Sequence, residues 1–260
     1  MSSTNREKRA RARAEREARE RATADSRRRI RRIYMLGGVA ALAAVVVAVG
    51  VALGGGGGAS NSAKAPAPVQ SAGIFKGIPQ KGIALGSPKA RVTLEEFADL
   101  QCPYCRDYAL DGLPKIVQRY VRTGKVRLEF RTIAILGDQS VRAAQMANAA
   151  QQQNHLWEFI DRLYAQQGEE NTGYVTPEFL RGIASEVSGL DVNRALSFSQ
   201  TQRSLEPLAS AHERANALGI ASTPSFMIGR TGGKLHRLEV SSLGIDGFAG
   251  PIERELAAAG

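Results

Sequence analysis

The chain has 260 residues, with 35 Lys+Arg against 25 Asp+Glu and a formal net charge of +10. The first 32 residues hold 13 basic and 5 acidic side chains, which leaves a nearly balanced 22 against 20 over residues 33–260. The basic character is therefore an N-terminal arm and not the signature of a nucleic-acid-binding domain. A disulfide-stapled scaffold is excluded as well, because the two cysteines stand only three positions apart.

In chain order, residues 1–32 read as a basic cytoplasmic arm, a topology determinant with a solvated tail. Residues 33–53 carry no charge and are mostly Ala, Val, Leu and Gly. As a helix they would be ~31 Å long, the thickness of a hydrocarbon core. Arg27, Arg28, Arg29, Arg31 and Arg32 stand directly before this stretch, and only Lys64 follows it in the next segment. The positive-inside rule then predicts a single transmembrane helix with the N-terminus cytoplasmic and the C-terminal domain exported. The alternative is a cleaved signal peptide, whose charged segment would be unusually long and whose apolar stretch would exceed the usual ~7–15 residues. Residues 54–74, with five consecutive glycines at Gly54–Gly58 and then Pro66 and Pro68, read as a flexible tether. Residues 75–260 remain, enough for one well-cored domain.

Within that domain Arg91–Ala98 reads as a buried strand. A helical pattern follows Cys105, with Leu110, Leu113, Val117 and Tyr120 on one face, widened by Ile116 and Val121. Pro114 predicts a kink or break, and Gly124 a stop. Val126–Ile133 reads as a second strand, so the segment is a βαβ unit with a parallel pair. From about 138 to 219 the pattern is helical: Ser140–Gln153, His155–Gln167, Thr176–Val187 with Thr176 as cap, Asp191–Gln200 and Leu205–Leu218. Leu156, Phe159, Ile160 and Leu163 form an apolar stripe, while Trp157 falls off it and has no evident place. Ser225–Gly229 and Lys234–Val240 predict an antiparallel hairpin, and Gly247–Ala258 a last helix. The class is α/β.

Cys102-Pro103-Tyr104-Cys105 lies where a strand ends and a helix opens. Cys102 would then be the N-cap and Pro103 the first helical residue, where its missing N–H costs nothing. The backbone N–H groups of Tyr104 and Cys105, with the helix dipole, would favour a Cys102 thiolate. Cys102 is thus expected to be the nucleophile and Cys105 the shielded, resolving thiol. A structural disulfide closing so short a loop would contribute about 2 kcal/mol at most. Zinc would need two more ligands, and His155, His212 and His236 stand at no ligand spacing, so no metal is expected. The histidines read as surface or satisfied helix residues.

Val92–Cys105 (VTLEEFADLQCPYC) together with Ser222–Gly229 (STPSFMIG) resembles the DsbA-like thiol–disulfide oxidoreductases of the thioredoxin superfamily, and the resemblance runs from about Gly82 to the C-terminus. It implies a thioredoxin fold with the helical block as an insertion, and no cofactor. It also implies a cis bond between Thr223 and Pro224, with the Thr223 backbone pairing an extended substrate strand and with Pro103, Tyr104 and Pro224 beside it. Glu96 matches the family's buried acidic residue, whose raised pKa would let it shuttle the Cys105 proton. Strand alternation leaves Glu95 as the alternative. Asp99 reads as structural. Tyr104 replaces the histidine of the best-known member, which predicts a less depressed Cys102 and a less oxidising couple.

The expected activity is that of a membrane-tethered dithiol oxidase acting on unfolded or reduced exported proteins and reset by an integral membrane, quinone-linked partner. A reductase or isomerase, and a non-catalytic peptide-binding or chaperone module, stand as alternatives.

Overall fold

A computed structural model describes residues 73–259. The arm, the predicted span and the tether up to residue 72 lie outside the described residues. Among those described, no helix is long and apolar enough to cross a membrane.

The sheet has six strands in the order β1-β2-β4-β3-β5-β6. Strands β1 (Gln80–Lys81) and β2 (Ala84–Leu85) form a tight hairpin on the outer edge of β4. Sequence reading does not find them, because two-residue strands carry no alternation. Strand β3 (Val92–Ala98) is central and buried at every position. It pairs in parallel with β4 (Val126–Thr132) and antiparallel with β5 (Ser225–Arg230), which forms the expected hairpin with β6 (His236–Leu238).

The two faces of β3 lead to different neighbours. Val92, Leu94 and Ala98 join the main core cluster, while Phe97 on the opposite face joins Ile133, Ala211, Ala215 and Met227. Adjacent residues are sent apart by the pleat, so Glu95 and Glu96 must face different layers.

After β3 the chain turns directly into helix. Short α-helices α1 (Pro103–Asp107) and α2 (Leu113–Ile116) alternate with π-helical turns at Tyr108–Gly112 and Val117–Val121. The predicted break at Pro114 does not occur. The chain reaches Pro114 through a wide turn in which the Leu113 N–H bonds to the Tyr108 carbonyl, so the proline is accommodated without ending the run. Gly124 does end it: at φ +71° it sits where side chains are strained, and its N–H returns to the Val121 carbonyl at 2.9 Å.

Five α-helices stand between β4 and β5: α3 (Asp138–Gln151), α4 (Leu156–Ala165), α5 (Pro177–Ser185), α6 (Val192–Ser199) and α7 (Glu206–Ala217), the last preceded by a 3-10 turn at Gln202–Leu205. Thr176 caps α5 by accepting the Phe179 N–H at 3.1 Å. The α4 stripe Leu156, Phe159, Ile160 and Leu163 is core throughout. Trp157 is core too, 1% exposed, with its indole against Phe75 and Phe130 at 6.1 and 6.0 Å between ring centroids. The closing helix α8 (Ile245–Ala258) packs Phe248 against Phe226 of β5 and Tyr108.

Gly112 fits this packing for lack of a side chain: a Cβ there would stand 2.1 Å from the Leu243 carbonyl oxygen. Replacing a helical glycine by alanine ordinarily stabilises by about 0.5–1 kcal/mol. Gly112→Ala is expected to reverse that sign and cost about 1–3 kcal/mol, as overpacking does, when measured by urea unfolding. A stabilised variant would show that the α8 approach loop is not held against this helix.

Candidate active site

Cys102 occupies the position anticipated for it. Its backbone is extended (φ −71°, ψ 122°), it is the N-cap of α1, and Pro103 follows as the first helical residue. Its N–H returns to the Asp99 carbonyl at 3.0 Å, and its own carbonyl accepts the Arg106 N–H at 3.2 Å. Both cysteines are free thiols, Cys102 5% exposed and Cys105 fully buried. The Thr223–Pro224 peptide bond is cis. Because Ser225 pairs with Phe97 at the end of β3, this loop lies over the cysteines, and the Cys102 thiol donates to the Thr223 carbonyl at 3.4 Å.

The two thiols are driven in opposite directions. Cys102 is lowered to about 6, chiefly by a hydrogen bond from the Cys105 thiol; burial opposes this, and the Thr223 side chain and the N–H groups of Cys105 and Tyr104 add to it. The amides named from sequence thus contribute, but the neighbouring thiol comes first. Cys105 is raised well above the ordinary thiol range, first by burial, then by its bond to Cys102 and the charge of Glu96. The result is one thiolate and one thiol in contact.

Of the two candidate glutamates, Glu96 faces this pair. It is 4% exposed, and its Oε1 is enclosed without a hydrogen-bond partner. Burial raises it well above the usual carboxylate range, and the Cys102 charge adds to the shift. An unpaired buried carboxyl of this kind holds its proton. Glu95 faces the other layer, where Arg131 donates to it and Arg214 donates through Nε at 2.9 Å and Nη2 at 2.8 Å. Its charge is neutralised on the far side of the sheet, so it is not the acidic residue of the site.

The phenols of Tyr108 and Tyr164 are buried and raised, first by desolvation and then by nearby negative groups, Glu96 for Tyr108 and Cys105 foremost for Tyr164. Tyr164 lies on α4 and donates to the Asp99 carbonyl at 3.2 Å. Sequence reading did not single it out, although it stands four residues after Ile160 and extends that stripe. Tyr104, in contrast, is 63% exposed, and Pro103 is exposed beside it. Asp99 is structural, accepting four hydrogen bonds. Two of the histidines are partnered: His212 Nε2 accepts the Ala134 N–H at 3.2 Å, and exposed His236 approaches Glu255 at 3.3 Å. His155 caps α4.

A family model described as Thioredoxin matches residues 79–239. The probable disulfide bond formation protein D of Bacillus anthracis is 29% identical over 148 residues, covering 56% of this chain and 68% of that protein. Disulfide bond formation protein D of Bacillus subtilis is 30% identical over 102 residues, covering 38% of this chain and 46% of that one. Among solved structures, oxidised BdbD of Bacillus subtilis superposes with a TM-score of 0.60 at 22% identity, over 69% of this chain and 97% of that one. Alpha-DsbA1 of Wolbachia pipientis gives 0.60 and 22% over 68% and 92%.

Two outcomes follow from the opposed thiols. Iodoacetamide is expected to alkylate reduced protein at Cys102, with a rate that rises through a midpoint near pH 6 and leaves Cys105 unmodified. The folded pKa of Cys102 lies below its unfolded value, so between the two the unfolded chain binds the extra proton and stability rises with pH. The reduced form should therefore gain stability over the oxidised form between pH 6 and 8 in denaturant titrations, the burial of Glu96 being common to both forms. Equal pH slopes for the two forms would contradict the assignment.

Proposed function

The chain belongs to the thioredoxin family as a protein disulfide oxidoreductase, and we propose that it works outside the cytoplasmic membrane as a dithiol oxidase that introduces disulfides into exported proteins. The observation that carries this reading is the opposition of the two thiols, Cys102 lowered to about 6 and Cys105 raised. A stabilised thiolate at Cys102 favours the reduced protein, which makes the oxidised protein a better oxidant.

A substrate thiolate attacks Cys102 Sγ of the Cys102–Cys105 disulfide. A bond forms between substrate sulfur and Cys102, the Cys102–Cys105 bond breaks, and Cys105 leaves with the electron pair. Glu96, protonated because it is buried and unpaired, gives Cys105 its proton. A second substrate thiolate then attacks the substrate sulfur of the mixed disulfide and releases Cys102 as the thiolate its surroundings stabilise. The substrate has lost two electrons and the enzyme has gained them. Thr223 lends its backbone to an extended substrate strand, with Pro103, Tyr104 and Pro224 at the rim. An integral membrane, quinone-linked protein takes the electrons onward. The transmembrane anchor through residues 33–53 is supported by their lack of charge and by the arginines before them.

A second reading, a reductase, is favoured by one feature. Tyr104 stands where a histidine would add positive charge beside the thiolate. The reduction potential decides between them. A value near or above about −180 mV agrees with disulfide donation, whereas one near about −270 mV would reverse the proposed electron flow. In a separate assay on an unfolded, reduced protein, Cys102→Ser and Cys105→Ser should each abolish disulfide formation, since neither can form the Cys102–Cys105 bond; given a disulfide-containing protein instead, Cys105→Ser should hold the mixed disulfide that its Cys102 thiolate forms as a substrate thiolate leaves. Activity retained by Cys102→Ser would refute the mechanism.

A further inference from the structure

The turn that carries Cys102 is anchored by one carboxylate. Asp99 is fully buried. Its Oδ1 accepts from the Gln101 N–H at 2.8 Å and the Ser140 hydroxyl at 2.6 Å, and its Oδ2 from the N–H groups of Ile135 and Leu136 at 2.8 and 3.0 Å. Four donors from three segments, the turn itself, the loop after β4 and the first turn of α3, fill the lone-pair sites of one carboxylate. The main chain of the same residue reaches the site, for its carbonyl accepts both the Cys102 N–H at 3.0 Å and the Tyr164 hydroxyl at 3.2 Å. The rest of the turn is held from the insertion. Gln167 Nε2 donates to the carbonyls of Leu100 and Cys102 at 3.1 and 3.2 Å, and the fully buried Gln101 side chain bridges Ser140 Oγ and the Asn171 N–H at 2.8 and 3.1 Å.

We infer that Asp99 is a positioning residue for the exchange reaction: its carboxylate ties the active-site turn to β4 and to the helical insertion, and so keeps the Cys102 sulfur within reach of Cys105, Thr223 and the α1 amides. The inference rests on the reading of Cys102 as the nucleophile. The Asp99 side chain touches no reacting atom.

Two effects of Asp99 have opposite signs. As a negative charge near the site it disfavours a thiolate; as a clamp it preserves the contacts that stabilise one. Asp99→Asn keeps the shape, removes the charge, and sets an NH2 group against one of the two donor pairs. Ser140→Ala removes one clamp donor without changing any charge.

The test is a thiolate titration by ultraviolet absorbance of the reduced full chain, with circular dichroism confirming the fold. In Asp99→Asn the Cys102 midpoint should move up from about 6. The expected rise is about half a unit or more, an about three-fold fall in the thiolate-to-thiol ratio. Ser140→Ala should move it the same way by less. A midpoint that falls or stays in folded Asp99→Asn, or that stays in folded Ser140→Ala, overturns the inference. If Asp99→Asn does not fold, Ser140→Ala decides alone. A titration step that survives in Cys102→Ser would instead overturn the reading of Cys102 as the thiolate, so the two failures are distinguishable.

Discussion

Cys102 stands where the extended backbone of β3 gives way to helix, and its N–H is returned to Asp99 while its sulfur meets the Cys105 thiol, the Thr223 side chain and the amides of Tyr104 and Cys105. This single junction sets the chemistry. A thiol placed one turn later, as Cys105 is, is shut off from solvent, and burial pushes it the other way, outweighing the Asp99 backbone bond that lowers it. The two sulfurs are close in sequence but differ in state because a helix has a beginning.

The sheet adds a second separation. Glu95 and Glu96 are neighbours on β3, yet the pleat sends them to opposite layers. Glu95 is surrounded by guanidinium groups from β4 and α7, an arrangement that keeps a buried charge tolerable. Glu96 is buried beside the Cys102 charge with no partner for its Oε1, and the protonated form is favoured. One strand thus supplies a carboxylate paired with arginines on one face and a proton-holding carboxyl on the other, and the sheet lies between them.

The helical insertion takes part in the same arrangement. Tyr164 on α4 and Gln167 just after it bond to carbonyls of the active-site turn, and Ser140 on α3 bonds to its carboxylate. The insertion is therefore a wall of the site as well as a packing layer. Beside it, the exposed Tyr104 and Ile135 are the large apolar side chains left open among the described residues.

The sequence by itself determined the βαβ order, the helical insertion and the place of Cys102 and Cys105. Each of these rests on a signal local to a few residues: alternation, helical spacing, a proline after a cap. The family resemblance pointed to Glu96 as the acidic residue, with Glu95 as the alternative. Only the tertiary structure decided between them, because a strand's alternation shows that neighbours part but not which face is which. The short hairpin at β1 and β2, the uninterrupted passage through Pro114 and the burial of Trp157 likewise depend on partners distant in the chain. So does the ordering of forces on Cys102, where the contact with Cys105 outweighs the amides that the helix start alone predicts. Contacts between residues 36 to 121 positions apart, such as Asp99 with Ile135 or Cys102 with Thr223, leave no periodic trace in the sequence, and they complete the site.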